Sequence, residues 1–472
     1  MRHLPPQRVL VLALLLALFA TACGSATDSA TVESASSAST DDQTTTSTTA
    51  VEVETSTTTA AEGSATSQTP TSTTEAPTTT TTTTTTEAPT TTAETTDETT
   101  TEAPPTTTEA PTTTTTTTTS QAVGNSAAET AALACVDGVS LEHQIGQLMF
   151  PVLVQSELGT AAELAGQGLL GGVVVLGAPS ASIQQDIATY QSRSLFGEGI
   201  IAVDEEGGRV QRLDGLTSAL PSAGVVGSSF TLEDAVTLAQ DHAVAIGELG
   251  FTMNLAPVVD LNNGGFIGDR SFGADPAVVT DFAFATADGI LAAGLDPVVK
   301  HFPGHGRGID SHTGLPIIPG VEVLRESDLV PFAAAIERAD LPIMVGHLVV
   351  EGLTGDDPAS ISPAAIDGLL RTEMGFDGLV MTDALNMDAI ANSLSNPEAA
   401  VRSIEAGVDL IMLGSVAETA VTVEQVMTAV ANGRITEGSI AESFIRVMNT
   451  SCLLYTSPSP RDQRGSRMPS SA

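Results

Sequence analysis

The chain has 472 residues and a formal net charge of −40, and aromatic side chains fill only 3% of positions, none of them tryptophan. Length alone allows two or three domains. The charge excludes a nucleic-acid partner, because binding phosphates takes an excess of lysine and arginine; the acidity reads as a source of solubility.

Residues 1–23 read as a targeting signal. Arg2 and Arg8 precede the apolar stretch VLVLALLLALFA, and small residues then lead to Cys23. That apolar core is too short to span a bilayer comfortably as a mature helix. Small residues followed by cysteine have the form of a bacterial lipoprotein processing site, at which Cys23 is lipidated and becomes the new N-terminus. The competing reading is an ordinary secretory signal in which Cys23 is incidental. The first anchors the protein to the membrane outside the cytoplasm; the second secretes it.

Residues 24–126 are mostly Thr, Ser, Ala, Pro and Glu, with long threonine runs and repeated TEAPTTT units. With almost nothing apolar to bury, the segment cannot offset chain entropy and is expected to be a disordered stalk. About 100 flexible residues give an r.m.s. reach of roughly 55 Å. At the other end, residues 451–472 break sharply from the preceding pattern. They read as a foreign or disordered tail, with the natural C-terminus expected to differ. Cys452 lies in that tail, so a disulfide from Cys135 to Cys452 is not expected.

Between residues 127 and 450 short apolar runs alternate with longer helical patterns. The runs, in chain order, are IGQLMFPVLV, LLGGVVVLG, GIIAVDEEGG, FTMNLAPVVD, LDPVVKHFPG, LPIMVGHLVV, GLVMTDAL and VDLIMLG. Continuous apolar character suits strands covered on both faces, as in a parallel sheet. Helical patterns occupy 231–249, 275–293 and 326–339. The repeat predicts an α/β fold, a single (β/α)8 TIM-type barrel following the stalk. A doubly wound open sheet competes, but no GxGxxG turn follows the first strand to bind a nucleotide.

Polar residues interrupt the runs at one kind of place. Asp204 follows GIIAV, Asp260 follows LAPVV, Lys300 and His301 follow LDPVV, His347 follows IMVG and Asp383 follows LVMT. In a barrel these strand ends share one face, where catalytic groups collect. The types present narrow the chemistry. No histidines stand at HxH or HExxH spacing, and Glu205 and Glu206, as neighbours on a strand end, would point in different directions; no metal or other cofactor is expected. No GxSxG elbow is present, and Cys135 precedes the folded segment. Carboxylates and histidine remain, the material of glycosidic bond cleavage.

Four stretches, DEEGGRVQRL, APVVDLNNGGFIGDRSFG, KHFPGHGRGIDSHTGLP and MTDALNM, together resemble glycoside hydrolase family 3, and within it the bacterial β-N-acetylhexosaminidase (β-N-acetylglucosaminidase) branch. The resemblance runs from residue 141 to about 435. It implies a retaining mechanism through a covalent glycosyl-enzyme, with Asp383 as nucleophile, His312 on a loop as general acid/base and Asp310 as its partner. Two residues apart in extended chain, Asp310 and His312 lie on one side, so Asp310 can hold one ring nitrogen and fix the tautomer.

The same resemblance makes Asp204, Arg270, Lys300 and His301 the residues that hold the sugar hydroxyls and the acetamido group. Arg209 either supports the rim or pairs with Glu205 or Glu206. His305 is read as structural, His347 as a wall of the pocket, and His143 and His242 as surface residues on helices. Glu205 stands where the family more often has glutamine, which puts the orientation of Asp204 in question.

Without tryptophan the chain lacks the flat platforms that grip long polysaccharides. Exo-acting removal of a terminal N-acetylglucosamine, from peptidoglycan fragments or chitin oligosaccharides, is the expected activity. A family 3 β-glucosidase, an N-acetylglucosaminide phosphorylase and an inactive sugar-binding lipoprotein remain the alternatives.

Overall fold

The computed structural model describes residue 136, residues 138–338 and residues 341–456, the last six as backbone only. The expected signal with Cys23, the threonine-rich stalk and Cys135 lie outside the described residues. Among the described residues no helix is long and apolar enough to cross a membrane.

The described strands are β1 (Val152–Val154), β2 (Gly172–Leu176), β3 (Ile200–Val203), β4 (Glu205–Gly207), β5 (Val210–Gln211), β6 (Met253–Asn254), β7 (Asp296–Pro297), β8 (Val299–Phe302), β9 (Ile317–Ile318), β10 (Ile343–Val345), β11 (Val349–Val350) and β12 (Val380–Thr382). One parallel sheet has the order β1-β2-β3-β6-β7, and a second has the order β12-β10-β8. A bridge between Val258 and Lys300 joins the chain after β6 to β8. Bridges from Met381 to Leu410 and from Ile411 to Met149 place residues 410 and 411 between β12 and the chain before β1. There the Phe150 N–H donates to the Ile411 carbonyl and the Val152 N–H to the Leu413 carbonyl, both at 2.9 Å. β4 and β5 form an antiparallel hairpin, and β9 pairs with β11.

Alternate side chains of one strand enter two different apolar clusters. Val152, Val174, Ile200, Ala202, Met344 and Met381 pack together on one side of the strands. Leu153, Val173, Val175, Ile201, Val203, Val345 and Val380 join the larger cluster with the helices. With period 2 and both faces buried, both sets of alternate positions are mostly apolar, which is why the sequence shows runs and not alternation.

The helices begin where the sequence offers caps. Thr231 accepts from the Asp234 N–H at the head of Leu232–Glu248, and Asp275 from the Ala277 N–H, with Pro276 opening Pro276–Ala292. Two expectations change. The first apolar run starts as a helix, Leu141–Gln147, before β1. The helix expected at 326–339 starts only at Val330 and runs to Arg338; a separate short helix, Val321–Arg325, precedes it, and buried Asp328 in the turn between them is engaged by Arg307 at 3.0 Å. The last helix, Glu437–Thr456, includes the backbone of residues 451–456.

At β7, the Oδ2 atom of Asp296 is buried without a hydrogen-bond partner, and burial pushes its carboxyl up to about 7. A folded-state value above the unfolded one means that the folded chain holds the proton more tightly. This contribution to stability is complete below about pH 4 and is lost as pH rises through about 7. Asp296→Asn, which cannot ionise, should flatten the fall in melting temperature between pH 5 and pH 8. The effect has a ceiling of ~4 kcal/mol, and thermal melts across that range check it.

Candidate active site

A cavity of about 360 Å³ opens over the C-terminal ends of the strands. Asp204, Arg270, Lys300, His301, Asp310, His312 and Asp383 all line it, so the structure brings together every site residue expected from the sequence. Val174, Met344 and Met412 from the inner apolar cluster contribute to its lining.

Lys300 and His301 are successive residues of β8, joined by a cis peptide bond. Lys300 Nζ lies 2.6 Å from Asp204 Oδ1 and 2.6 Å from Glu206 Oε1. Arg270 closes the group with a two-pronged contact to Glu206, Nε to Oε2 at 2.7 Å and Nη2 to Oε1 at 2.8 Å. Burial alone would raise the Glu206 carboxyl, but the Lys300 and Arg270 charges and hydrogen bonds hold it well below the usual range. Burial likewise opposes the charge on Lys300, and Asp204 and Glu206 outweigh it and raise its value. Such a buried network gives little net stability, since desolvation cancels much of the attraction. What it supplies is fixed geometry for the polar groups of Asp204, Arg270 and Lys300 that line the cavity.

Asp383 directly follows β12 and is 8% exposed. Its N–H donates to the Val345 carbonyl at 3.0 Å, and its Oδ1 accepts the Ala384 N–H at 2.8 Å. Its Oδ2 faces His301 Nε2 at 4.0 Å. Burial works to raise the carboxyl, but His301, His347, the Ala384 hydrogen bond and Lys300 together hold it lowered and ionised. That is the state a nucleophile needs.

The loop after β8 carries the other half. Asp310 Oδ1 accepts from the His312 N–H and contacts His312 Nδ1, each at 3.0 Å. Against the opposing effect of burial, these hydrogen bonds lower the Asp310 carboxyl, so Asp310 is an acceptor and Nδ1 carries the proton. Nε2 is then the free nitrogen of a side chain that is 63% exposed. The base of the loop is pinned: the Gly265 N–H donates to the Gly306 carbonyl at 3.1 Å, and the Phe266 N–H to the Gly308 carbonyl at 3.0 Å. A Cβ on Gly306 would sit 1.7 Å from the Leu261 carbonyl oxygen, so only glycine fits this approach.

Several neighbouring residues differ from expectation. His242 is buried, 7% exposed, with Nε2 2.8 Å from Glu205 Oε2. His143 is half-buried, edge-on to Phe196 at 5.6 Å. His347 is wholly buried and is not among the residues lining the cavity; Nε2–H donates to the Ala384 carbonyl at 2.9 Å and Nδ1 accepts from Ser360 at 2.7 Å. It braces the chain just after Asp383. Arg209 pairs with neither Glu205 nor Glu206. It donates to the Phe266 and Ile267 carbonyls, lies 3.5 Å from Asp269 and covers the Phe266 ring at the rim. Glu205 turns away from the cavity to accept the Arg212 and Leu213 N–H groups, so it leaves the Asp204–Lys300 contact intact. His305 is buried with Nε2 3.4 Å from Ser311 Oγ, in keeping with a structural role.

Glu206 and Arg212 were missed as site residues. Arg212 lines the cavity, with its Nε buried and unpartnered. Val210 also lines it, while Gln211 turns to Thr217 and Ser218. The period of 2 along this strand end, counted from Val210, was the signal available in the sequence. Among the described residues no cluster of three or more His, Cys, Asp or Glu is arranged to hold a metal ion.

A family model described as the glycosyl hydrolase family 3 N terminal domain matches residues 140–450. The chain belongs to glycosyl hydrolase family 3. A relative named beta-hexosaminidase LpqI, from Mycobacterium tuberculosis, is 42% identical over 258 residues. That match covers 52% of this chain and 66% of the relative, just under two thirds of its length. A solved structure described as a glycosyl hydrolase of the GH3 family, from Mycobacterium smegmatis, superimposes with a TM-score of 0.63 at 36% identity, covering 66% of this chain and 97% of that one. A family 3 beta-N-acetylglucosaminidase from Paenibacillus gives a TM-score of 0.63 at 32% identity, covering 67% of this chain and 63% of that one.

Proposed function

We propose that this family 3 enzyme is a retaining, exo-acting β-N-acetylhexosaminidase that releases terminal N-acetylglucosamine through a covalent glycosyl-enzyme. The observation that carries the reading is the pairing of an ionised, buried Asp383 with the Asp310–His312 pair on one small cavity. Asp383 attacks the anomeric carbon while His312, as the imidazolium, gives its Nε2 proton to the departing oxygen; the ring, then neutral with its proton on Nδ1, takes a proton back at Nε2 from the water that hydrolyses the intermediate. Asp204, Arg270, Lys300, His301 and Arg212 supply hydrogen bonds to the hydroxyls and the acetamido group. A volume of about 360 Å³ is near the lower limit for small-molecule sites, which favours one terminal sugar over an extended chain. The name of the Paenibacillus relative, a beta-N-acetylglucosaminidase, supports the same sugar, and that of the M. tuberculosis relative, a beta-hexosaminidase, supports the broader class of substrate. Cell-wall fragments and chitin oligosaccharides are the natural sources.

The folded part, residues 127–450, is on this reading a closed (β/α)8 barrel. Support comes from the bridges of residues 410 and 411 to β12 and to the chain before β1, and from the separate inner apolar cluster. Lipid anchoring through Cys23, with residues 24–126 as a stalk outside the cytoplasm, completes the arrangement. Cys23→Ala should abolish lipid labelling and membrane association; labelled, membrane-bound variant would exclude the anchor.

A panel of 4-nitrophenyl glycosides tests the activity, with anomeric configuration followed by proton NMR. Preference for the β-N-acetylglucosaminide with β-product formed first is expected. Equal turnover of the β-glucoside would point to a glucosidase. Sugar-1-phosphate formed in phosphate buffer would point to a phosphorylase. No turnover of any glycoside would leave a sugar-binding protein.

A further inference from the structure

The carboxylate of Asp260 touches both halves of the site without lining the cavity itself. It is 1% exposed and follows the extended chain after β6. Oδ2 lies 2.6 Å from His301 Nδ1. Oδ1 accepts two backbone N–H groups, that of His301 at 3.2 Å and that of His305 at 2.6 Å. His301 is the ring that faces Asp383 and receives Arg270 Nη2 at 3.5 Å. His305 begins the loop that bears Asp310 and His312, and its Nε2 contacts Ser311 Oγ, the residue between them, at 3.4 Å. Ser311 is itself buried, with its carbonyl accepting the Ala389 N–H at 3.1 Å.

We infer that Asp260 is a positioning residue with two simultaneous tasks, fixing the tautomer of His301 and holding the loop of the acid/base in register with the sugar pocket. The first task follows from valence. Burial would raise the Asp260 carboxyl, but contacts with His301 and His305 lower it, so it is ionised and can only accept hydrogen bonds. Nδ1 of His301 therefore carries the proton. When the ring is neutral, Nε2 presents a lone pair toward Arg270 and the cavity, where it can accept a sugar hydroxyl. The second task follows from connectivity. The His305 N–H bond is the shortest that Asp260 makes to the backbone, and only seven positions separate His305 from His312. A shift of about 1 Å in that anchor would be carried to the acid/base, and misplacement of that size is worth roughly 10²-fold in rate.

The two tasks separate by substitution. Asp260→Asn can keep an oxygen for both backbone N–H groups but places an NH₂ against His301 Nδ1–H. The ring must then change tautomer or lose the bond. Asp260→Ala removes the backbone anchor as well. An orienting carboxylate changed to its amide costs about 10⁴-fold where the histidine is the general base. His301 does not transfer the proton, so about 10²-fold in kcat/KM is expected for Asp260→Asn. That loss should be equal for a dinitrophenyl and an alkyl N-acetylglucosaminide, because the sugar is the same. Asp260→Ala should add a further loss of about 10-fold or more on the alkyl glycoside alone, where protonation of the leaving oxygen counts.

The proposal rests on the glycosidase reading, and its closing measurement does not depend on substrate. In the full-length wild-type protein labelled with ¹⁵N, NMR should find the His301 proton on Nδ1, and in Asp260→Asn the signature should move. A wild-type His301 with a bare Nδ1 would overturn the proposal, even if neither variant folds. Equal losses on both glycosides in Asp260→Ala would overturn the second task. If wild type cleaves no glycoside while Nδ1 is protonated, the functional reading fails and the tautomer assignment stands.

Discussion

Asp383→Ala should lower kcat on an aryl N-acetylglucosaminide by on the order of 10⁴–10⁶-fold, the range seen when a group that reacts covalently is removed. The loss should fall on the chemical step, since Lys300, Arg270, Glu206 and Asp204 hold one another through ion pairs that do not include Asp383. Stability should fall modestly, because the contacts that hold the Asp383 carboxyl lowered outweigh its desolvation and are lost with the side chain. The backbone around the site keeps its supports, the Asp383 N–H to Val345 and His347 to the Ala384 carbonyl. A second signature is chemical. Azide should restore some turnover of a dinitrophenyl glycoside, entering from the face the carboxylate occupied and giving the α-glycosyl azide. Steady-state kinetics, thermal melts and product NMR check the three parts. A near wild-type kcat in a folded variant would remove Asp383 from the role of nucleophile.

What the sequence made legible here follows from which constraints are local. Strands covered on both faces are mostly apolar on both, so β2, β3 and β12 stand out as runs, and a charged residue just beyond them, as at Asp204 and Asp383, marks a strand end. Thr231 and Asp275 cap their helices through contacts two or three residues away. The Asp310–His312 pair spans two residues and is equally readable. Partners distant in the chain are not. His242 has the helical context of a surface residue, and only the fold brings it to Glu205, 37 positions away. That neighbouring glutamates diverge follows from strand geometry. Which of them joins Lys300 and Arg270 depends on the side of the β4–β5 hairpin that faces the cavity. Asp260 looks like one more strand-end carboxylate until the three hydrogen bonds it accepts from His301 and His305 are seen.

Removing the His312 ring should split substrates by leaving group. A proton is needed to form the glycosyl-enzyme only when the departing oxygen is too basic to leave alone. His312→Ala should therefore slow an alkyl or natural glycoside by about 10²–10⁴-fold, the usual worth of positioned acid–base assistance. Formation of the intermediate from a dinitrophenyl glycoside should change little. Its hydrolysis then lacks a general base, so the glycosyl-enzyme should accumulate, visible as a burst of dinitrophenolate equal to the enzyme present. Azide needs no deprotonation and should clear the intermediate as the β-glycosyl azide, the opposite anomer to that expected from Asp383→Ala. The exposure of His312 on its loop means that the variant loses no core packing, so melting should be unaffected. Asp310→Ala should follow the same pattern more weakly: the ring remains, but loses the contact that keeps a proton on Nδ1 and aims Nε2 at the leaving oxygen. Equal losses on both glycosides in the pre-steady state, with no response to azide, would take the acid/base role away from His312. The two azide products together form the stricter test, because nucleophile and acid/base act from opposite faces of one sugar ring and only that arrangement yields opposite anomers.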